Sequence, residues 1–258
     1  MQKNAAVLGM LMFAATAAQA DWDCDHKAPR RLSTPASGVT RVVVIGRAGG
    51  LKVEGRSGAT EITASGTACS SDSDFLKDMN LVASRSGSEL RIEAEIPEHS
   101  IGWFGNWQAS LDFTVVVPEG VALVVRDGSG SALIRNVASL DVTDGSGDLE
   151  IDDVRGDVRV SDGSGGMRIT NVGGNVRLED GSGEIDVRDV RGSVLVDEDG
   201  SGSIDVSNVR QSVTVESDGS GGIDVVDVGG DFTVRDKGRS GGIDYSRVSG
   251  RVRIPSRD

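Results

Sequence analysis

The tripeptide Gly-Ser-Gly recurs along the second half of the chain, and its spacing limits the possible folds more than any other feature. Successive serines lie 17 to 20 residues apart, and the variant Gly238-Arg239-Ser240-Gly241 ends the series. Between copies, apolar and polar residues alternate, which is the period of a β-strand and not of a helix. Each unit therefore predicts two short strands joined by two glycine-rich corners. The six serines are Ser129, Ser146, Ser164, Ser182, Ser201 and Ser220.

Aligning the copies produces five columns of apolar residues, one residue per copy in each column. A single coil cannot bury its own apolar face, but parallel coils stacked about 4.8 Å apart bury continuous columns. The sequence therefore predicts an all-β protein, a single-chain parallel β-solenoid (β-helix) with about seven regular two-strand coils of 17–20 residues. The last copy contributes Ile243, Tyr245, Val248, Val252 and Ile254 to these inward columns.

The chain divides into three parts. Residues 1–20 are predicted to be a secretory signal peptide, because a basic start precedes the apolar stretch Ala5–Ala15 and the small-residue site Ala18-Gln19-Ala20. The alternative is a buried helix of the mature fold. Residues 21–126 are predicted to be an irregular β N-terminal part of the solenoid. Residues 127–258 are predicted to hold the regular repeats and a basic C-terminal cap. The strands expected in the irregular part are Arg41–Ile45, Leu51–Val53, Glu61–Ala64, Leu90–Ile96 and Leu111–Val117.

Composition narrows the class of partner. The 258 residues include 27 Lys plus Arg and 40 Asp plus Glu, a net charge of −13, which argues against nucleic acid as a partner. Aromatic residues make up 3%, few for an enzyme pocket. No later apolar run approaches 18 residues, so no transmembrane segment is expected in the mature chain. The expected location is periplasmic, associated with the outer surface, or secreted.

Two cysteines, Cys24 and Cys69, are the only ones in the sequence. In an oxidising compartment an isolated pair most simply forms one disulfide. The alternatives are two free thiols or a metal site, which is disfavoured because His26 is the only imidazole nearby.

An aspartate precedes Gly-Ser-Gly in each of the first six copies, and the six would stack as a ladder. One interpretation is a carboxylate column that binds Ca²⁺, a cation that prefers oxygen ligands. The favoured interpretation is turn chemistry, in which each aspartate accepts backbone N–H bonds and glycine supplies a positive φ. The ladder residues are Asp127, Asp144, Asp162, Asp180, Asp199 and Asp218.

Other polar positions repeat as well. The Asn or Asp before each corner valine is also expected to be turn chemistry, and Asp186, Asp205, Asp224 and Asp244 are expected to form a solvated face. Extra residues accumulate just before Gly-Ser-Gly in later copies, so this edge is the expected variable contact surface. The arginines near the C-terminus are expected to cap the open end.

The segment Trp103-Phe104-Gly105-Asn106-Trp107 concentrates aromatics in a stretch without strand alternation. Trp103, Phe104 and Trp107 are candidate contacts for a protein or glycan partner. The alternative is that they fold back and plug one mouth of the solenoid.

Catalysis finds little support. Neither His26 nor His99 accompanies a repeated acid or nucleophile, and the repeated serines have no base at a consistent spacing. We therefore expect no catalytic residues, no resident metal and no cofactor.

The segment Val115–Val125, followed by repeated Gly-Ser-Gly-x-Ile-x-Val, resembles a bacterial family. This family comprises the β-strand-repeat cell-envelope proteins known as putative adhesins, related to toast-rack-like domains of unknown function. The resemblance covers roughly residues 40–255. It implies a right-handed solenoid exported to the cell envelope and supplies no catalytic residue. The predicted function is an exported, adhesin-like binding or structural scaffold whose partner is an envelope protein or glycan. The alternatives are a carbohydrate-active β-helix enzyme and a cation-stabilised envelope protein.

Overall fold

The computed structural model describes residues 24–97 and 108–255, which form two eleven-stranded sheets that enclose one hydrophobic core. Sheet A contains, in spatial order, β1 (His26–Pro35), β4 (Glu61–Ser70), β7 (Ala109–Pro118), β3 (Leu51–Arg56), β9 (Ala132–Val137), β11 (Leu149–Val154), β13 (Met167–Val172), β15 (Ile185–Val190), β17 (Ile204–Val209), β19 (Ile223–Val228) and β21 (Ile243–Val248). Sheet B contains β22 (Val252–Arg253), β20 (Phe232–Ser240), β18 (Val213–Ser220), β16 (Val194–Asp199), β14 (Val176–Asp180), β12 (Val158–Asp162), β10 (Ser139–Asp144), β8 (Ala122–Arg126), β2 (Arg41–Ile45), β6 (Glu89–Glu95) and β5 (Asn80–Ser86).

From β8 onward the chain alternates between the sheets, so that each coil contributes one strand to sheet B and the next to sheet A. From β8 onward, neighbouring strands within each sheet are parallel and equivalent residues lie opposite each other, as Leu149 opposite Met167 and Val158 opposite Val176 illustrate. This arrangement confirms the predicted β-solenoid. With ten strand-to-strand steps of about 4.8 Å in each sheet, the stack is about 50 Å long.

The core lies between the two sheets and is built from the predicted apolar columns. Ile169, Val187 and Leu178 are completely buried, and the core cluster runs without interruption from β2 to β20. The inward prediction is wrong for two residues of the last coil, because Tyr245 is 46% exposed and Ile254 is 39% exposed. No further coil covers these side chains within the described part of the chain.

The N-terminal part departs from sequential stacking. The coil made by β2 and β3 lies between the β6–β7 coil and the β8–β9 coil, so the chain leaves the stack and later returns on the far side. The strands in this part of the chain also form antiparallel pairs, namely β1 with β4, β4 with β7, and β5 with β6. All five strands expected here are present, while β1, β5 and β8 were not predicted.

A short helix, α1 (Ser73–Asp78), connects β4 to β5 and was also not predicted. Asp72 caps its N-terminus by accepting from the backbone N–H groups of Asp74 and Phe75. Arg30, on β1, donates to the carbonyl oxygens of Leu76 and Met79 at the other end. These contacts satisfy terminal backbone groups that six residues cannot satisfy alone.

The predicted disulfide is present, with Cys24 bonded to Cys69 and their Cα atoms 5.7 Å apart. Cys69 lies on β4, opposite Lys27 of β1. The bond therefore fastens the start of the described chain to the antiparallel end of sheet A. Disulfides persist in oxidising compartments, so this pairing indicates an extracytoplasmic protein.

Candidate binding surfaces and the buried aspartate column

The aromatic segment with Trp103, Phe104 and Trp107 lies outside the described residues, as does the predicted signal peptide. The strands on either side of it are described. Near the start of β7, the N–H of Leu111 donates to the carbonyl of Ala48 at 2.8 Å, next to the corner between β2 and β3. That corner stacks on the first Gly-Ser-Gly corner through the pairing of Ala48 with Ser129.

The Gly-Ser-Gly corners stack directly on one another. The N–H of Gly147 donates to the carbonyl of Ser164 at 3.0 Å, and the same bond recurs from coil to coil. The second glycine of each tripeptide has a positive φ, 148° at Gly183, where a β-carbon would overlap the carbonyl oxygen of Gly165. Glycine is therefore required at this position for both conformation and packing.

The aspartates before these glycines point into the molecule. This column of six side chains, here called the aspartate column, shows relative exposures of 1–8%. Strand alternation explains the direction, because Asp144 follows Val142 by two residues and Asp180 follows Leu178 by two residues. That spacing was present in the sequence and was the signal for burial that the turn interpretation overlooked. The column members are Asp127, Asp144, Asp162, Asp180, Asp199 and Asp218.

Part of the column is engaged in the turns. Gly128 N–H donates to Asp127 Oδ1 at 2.9 Å, Gly145 N–H donates to Asp144 Oδ1 at 2.8 Å, and Ser164 N–H donates to Asp162 Oδ1 at 3.3 Å. These bonds are the ones that the turn interpretation expects.

The remaining oxygens have no such partner. Among the described residues, Oδ2 of Asp127, Asp144 and Asp162 and both carboxylate oxygens of Asp180 and Asp199 are buried without a hydrogen bond. The backbone N–H groups of Gly181 and Ser182 lie close enough to lower the pKa of Asp180, but neither forms a hydrogen bond with its carboxylate. A buried polar atom without a partner is costly, so this column needs an explanation beyond turn formation.

Burial raises the pKa of five aspartates of the column. Desolvation raises the pKa of Asp127 to about 7, of Asp180 to about 6 and of Asp199 to about 7. Burial also raises the pKa of Asp144 and Asp162. Carboxylates in adjacent coils add to the rise at Asp127, Asp144, Asp180 and Asp199, because like charges disfavour each other's ionisation.

The two ends of the column carry different residues. Lys237 occupies the position after Asp218, and its Nζ lies 2.8 Å from Asp218 Oδ2 while donating to the carbonyls of Gly221 and Ser240. At the other end Gly46 lies beside Asp127, where a β-carbon would overlap the Asp127 carboxylate. The column therefore ends at the cation of Lys237 on one side and at Gly46, which has no side chain, on the other.

The opposite corner, between sheet A and sheet B, carries a second polar column. The residue before each corner valine has a φ of 55–60°, the left-handed conformation that Asn and Asp tolerate best among non-glycine residues. Amide and carboxylate alternate, and Asn208 Nδ2 donates to Asp189 Oδ1 at 3.1 Å. The members are Asn136, Asp153, Asn171, Asp189, Asn208, Asp227 and Arg247.

A long groove follows this corner. Its floor is formed by buried valines such as Val190 and Val209, and Arg191 and Arg210 line it beside the Asn/Asp column.

On the outer face of sheet A, Asp186 is only 3% exposed, because Arg168 and Arg188 both pair with it at 3.1 and 2.7 Å. The solvated-face expectation is therefore wrong for Asp186.

The last coil carries exposed arginines. Arg247 pairs with Asp227, and Arg253 pairs with Asp231 at 2.9 Å. Both pairs hold the last coil to the coil before it.

The only helix in the described ranges is far too short to cross a membrane.

No protein-family model and no curated protein sequence matches the chain. Solved structures similar to it include a putative cell adhesion protein from Clostridium sporogenes, which is 10% identical, with 89% of this chain and 99% of that chain covered and a TM-score of 0.37. Another is a putative lipid binding protein from Parabacteroides distasonis, at 16% identity, 88% and 97% coverage and a TM-score of 0.47. A third is a putative adhesin from Parabacteroides merdae, at 11% identity, 89% and 96% coverage and a TM-score of 0.34. The chain is thus similar to solved putative adhesins, as the resemblance implied, and identities this low assign no function.

Proposed function

We propose that this protein is an exported, non-catalytic scaffold of the bacterial cell envelope that binds an envelope protein or glycan in the manner of an adhesin. The observation that carries the proposal is the repetition of its surface. Along the corner groove, Asn and Asp alternate at every coil, so similar donors and acceptors recur about every 4.8 Å. A surface of this kind suits an extended partner, as in other solenoid proteins.

The stiffness of the stack supports a scaffold role. One apolar core runs through the parallel coils, and backbone hydrogen bonds join each coil to the next at both corners. Such an arrangement holds surface groups at fixed separations, which lowers the entropy cost of binding a long ligand. The disulfide supports an extracytoplasmic location, and the signal peptide remains a prediction.

The distribution of acidic residues supports a non-catalytic role. A catalytic site needs a differentiated cluster in which a few groups take unequal roles. The acids of the described surface instead repeat in columns, and Arg or Asn neighbours engage several of them, as at Asp186 and Asp189.

The aromatic segment is proposed as a second contact, separate from the corner groove and on the Gly-Ser-Gly edge. β7, the strand that follows it, starts beside the β2–β3 corner, which stacks on the first Gly-Ser-Gly corner. This edge also takes up the extra residues of later coils. Aromatic side chains bury large areas and stack on sugar rings, so Trp103 and Trp107 suit either a protein or a glycan.

The test is a binding assay with the purified full chain, using envelope extract and isolated envelope glycans as separate targets. We expect the double variant Trp103→Ala/Trp107→Ala to bind at least about tenfold more weakly, the size of effect expected at a hot spot, with little change in thermal melting. Tyr245→Ala is the matched control, because it removes an exposed aromatic from the opposite end. A large loss of stability with binding intact would show that the tryptophans plug the solenoid, and equal binding by all three proteins would refute the contact.

A further inference from the structure

The aspartate column places one carboxylate per coil inside the protein over six successive coils. Pairing in sheet B sets Asp144 opposite Asp162, Asp162 opposite Asp180, and Asp180 opposite Asp199. Adjacent parallel strands lie about 4.8 Å apart, so neighbouring carboxylates face each other directly. All six residues are more than nine-tenths buried, and the oxygens of Asp127, Asp144, Asp162, Asp180 and Asp199 that the turns do not use are buried without a hydrogen bond.

The register of the column is maintained even where a coil gains a residue. Asp180 follows Leu178 by two positions, whereas Asp199 follows Val196 by three. A register shift between Leu178 and Glu179 absorbs the extra residue, and the two aspartates still pair. The bulge moves the additional residue aside and keeps the carboxylate inward.

Turn formation alone does not require aspartate six times in succession. Asparagine forms the same side-chain turn and carries no charge. At the opposite corner the protein does alternate the two, with Asn171 between Asp153 and Asp189. The exclusive use of aspartate at the buried position indicates that the ionisable group itself matters there.

Six adjacent charges are unfavourable in this environment. Two like charges about 4.8 Å apart repel each other, and the repulsion is stronger at a buried site than in water because the effective dielectric constant is lower. The charged groups that act on the column are its own members and Lys237, which contacts Asp218 at one end. The next residues inward are apolar core side chains, such as Leu178 and Val196. Among the described residues, the ammonium of Lys237 therefore contacts one of the six carboxylates and leaves the other five without a cationic partner.

The linear arrangement of the carboxylates decides whether a metal ion or a proton can satisfy the oxygens that lack a hydrogen bond. No three acidic, histidine or cysteine side chains among the described residues converge on one point. Calcium takes six to eight oxygen ligands, whereas a proton joins carboxylates two at a time, as in paired carboxylates that share one proton. We propose that neighbouring aspartates of the column share protons, so that the column is a proton-binding spine that strengthens the solenoid in mildly acidic surroundings and loses its protons as the pH rises.

The direction of the pH dependence follows from the proton balance. The pKa of Asp127 and of Asp199 rises to about 7 in the folded protein, above the ordinary aspartate value of 3.8. Between these values each of these two aspartates binds more proton in the folded state than in the unfolded state, so their contribution to stability is greatest at the acidic end and falls as the pH rises. For each proton bound in excess, the unfolding equilibrium constant increases about tenfold per pH unit.

The experiment measures urea unfolding of the full chain at several values between about pH 5 and pH 8. We expect the wild-type midpoint to fall with rising pH and the double variant Asp180→Asn/Asp199→Asn to show a clearly smaller slope. The control Asp153→Asn/Asp189→Asn removes the same number of charges from the exposed corner column and is expected to keep the wild-type slope.

Three results would overturn the proposal. These are a wild-type midpoint that is constant or rises over this range, equal slopes for both double variants, or a midpoint that falls when a chelator is added at fixed pH. The last result would assign the column to bound cations. If the buried double variant does not fold, NMR titration of wild-type protein labelled at the aspartate carboxyl carbons decides the question. Protonated aspartates must then persist above about pH 5, and their absence refutes shared protons.

Discussion

Lys237 Nζ and Asp218 Oδ2 lie 2.8 Å apart inside the solenoid, and their side chains are 8% and 1% exposed. Lys237 stands where a seventh aspartate would continue the column, since it pairs in register with Asp218. It follows Val234 by three residues, just as Asp218 follows Val215. The lysine at this position of the repeat thus ends the column of carboxylates.

Replacing Lys237 by Met should destabilise the protein strongly at neutral pH. The substitution keeps an apolar side chain of similar length but removes the ammonium that pairs with Asp218. Breaking a buried ion pair typically costs about 3–5 kcal/mol, and urea unfolding measures the loss. Arg235→Met is the matched control: the Arg235–Glu216 pair is exposed, so its loss should cost no more than about 1 kcal/mol. Equal effects of the two substitutions would contradict the burial argument.

Gly183→Ala should disrupt the stacking of two coils. Gly183 has a φ of 148°, and a β-carbon there would overlap the Gly165 carbonyl. We expect a loss of about 3 kcal/mol or more in the free energy of unfolding, at the upper end for point substitutions. Gly222→Ala provides the comparison, because a β-carbon on that exposed glycine meets no atom within 4 Å. If both variants unfold at the wild-type denaturant concentration, close glycine stacking is not required.

Asn208→Asp should place three carboxylates in succession along the exposed corner column. Asn208 donates to Asp189, and its other neighbour in the column is Asp227. The substitution removes the donor and adds repulsion, with an expected loss of about 0.5–1 kcal/mol at low salt. Added salt should reduce this loss, because exposed charges are screened. An effect independent of salt would show that repulsion is not its cause.

Removing the disulfide should destabilise the antiparallel end of the molecule. Cys24 and Cys69 are separated by 45 residues in sequence, and the chain-entropy relation for a loop of this length gives about 4 kcal/mol. The double variant Cys24→Ala/Cys69→Ala should unfold at a lower urea concentration than the oxidised wild type. A reductant should lower the wild-type midpoint to a similar value and leave the variant unchanged. A reductant-insensitive wild type would contradict the prediction.

Much of the fold was predictable because the repeat places the same residue types at the same positions in each coil. The Gly-Ser-Gly spacing located the corners, and the two-residue alternation placed Ile169 and Val187 inside. The same alternation also predicts that Asp144 and Asp180 point inward, but the turn interpretation did not use it. Beyond Val196 the alternation is broken by one extra residue, so only the strand pairing reveals that Asp199 points inward.

The sequence by itself determined the parallel coils and their corners through local periodicity, and it favoured the pairing of Cys24 with Cys69, its only two cysteines, which the structure confirms. The tertiary structure decided what depends on neighbours distant in sequence. It placed the β2–β3 coil out of chain order, exposed Tyr245 at the open end, and buried the aspartate column beside the apolar core. The physical reason is that a side chain's charge and exposure depend on the coils above and below it. A repeat unit specifies its own two strands, and only stacking specifies what lies on each side of them.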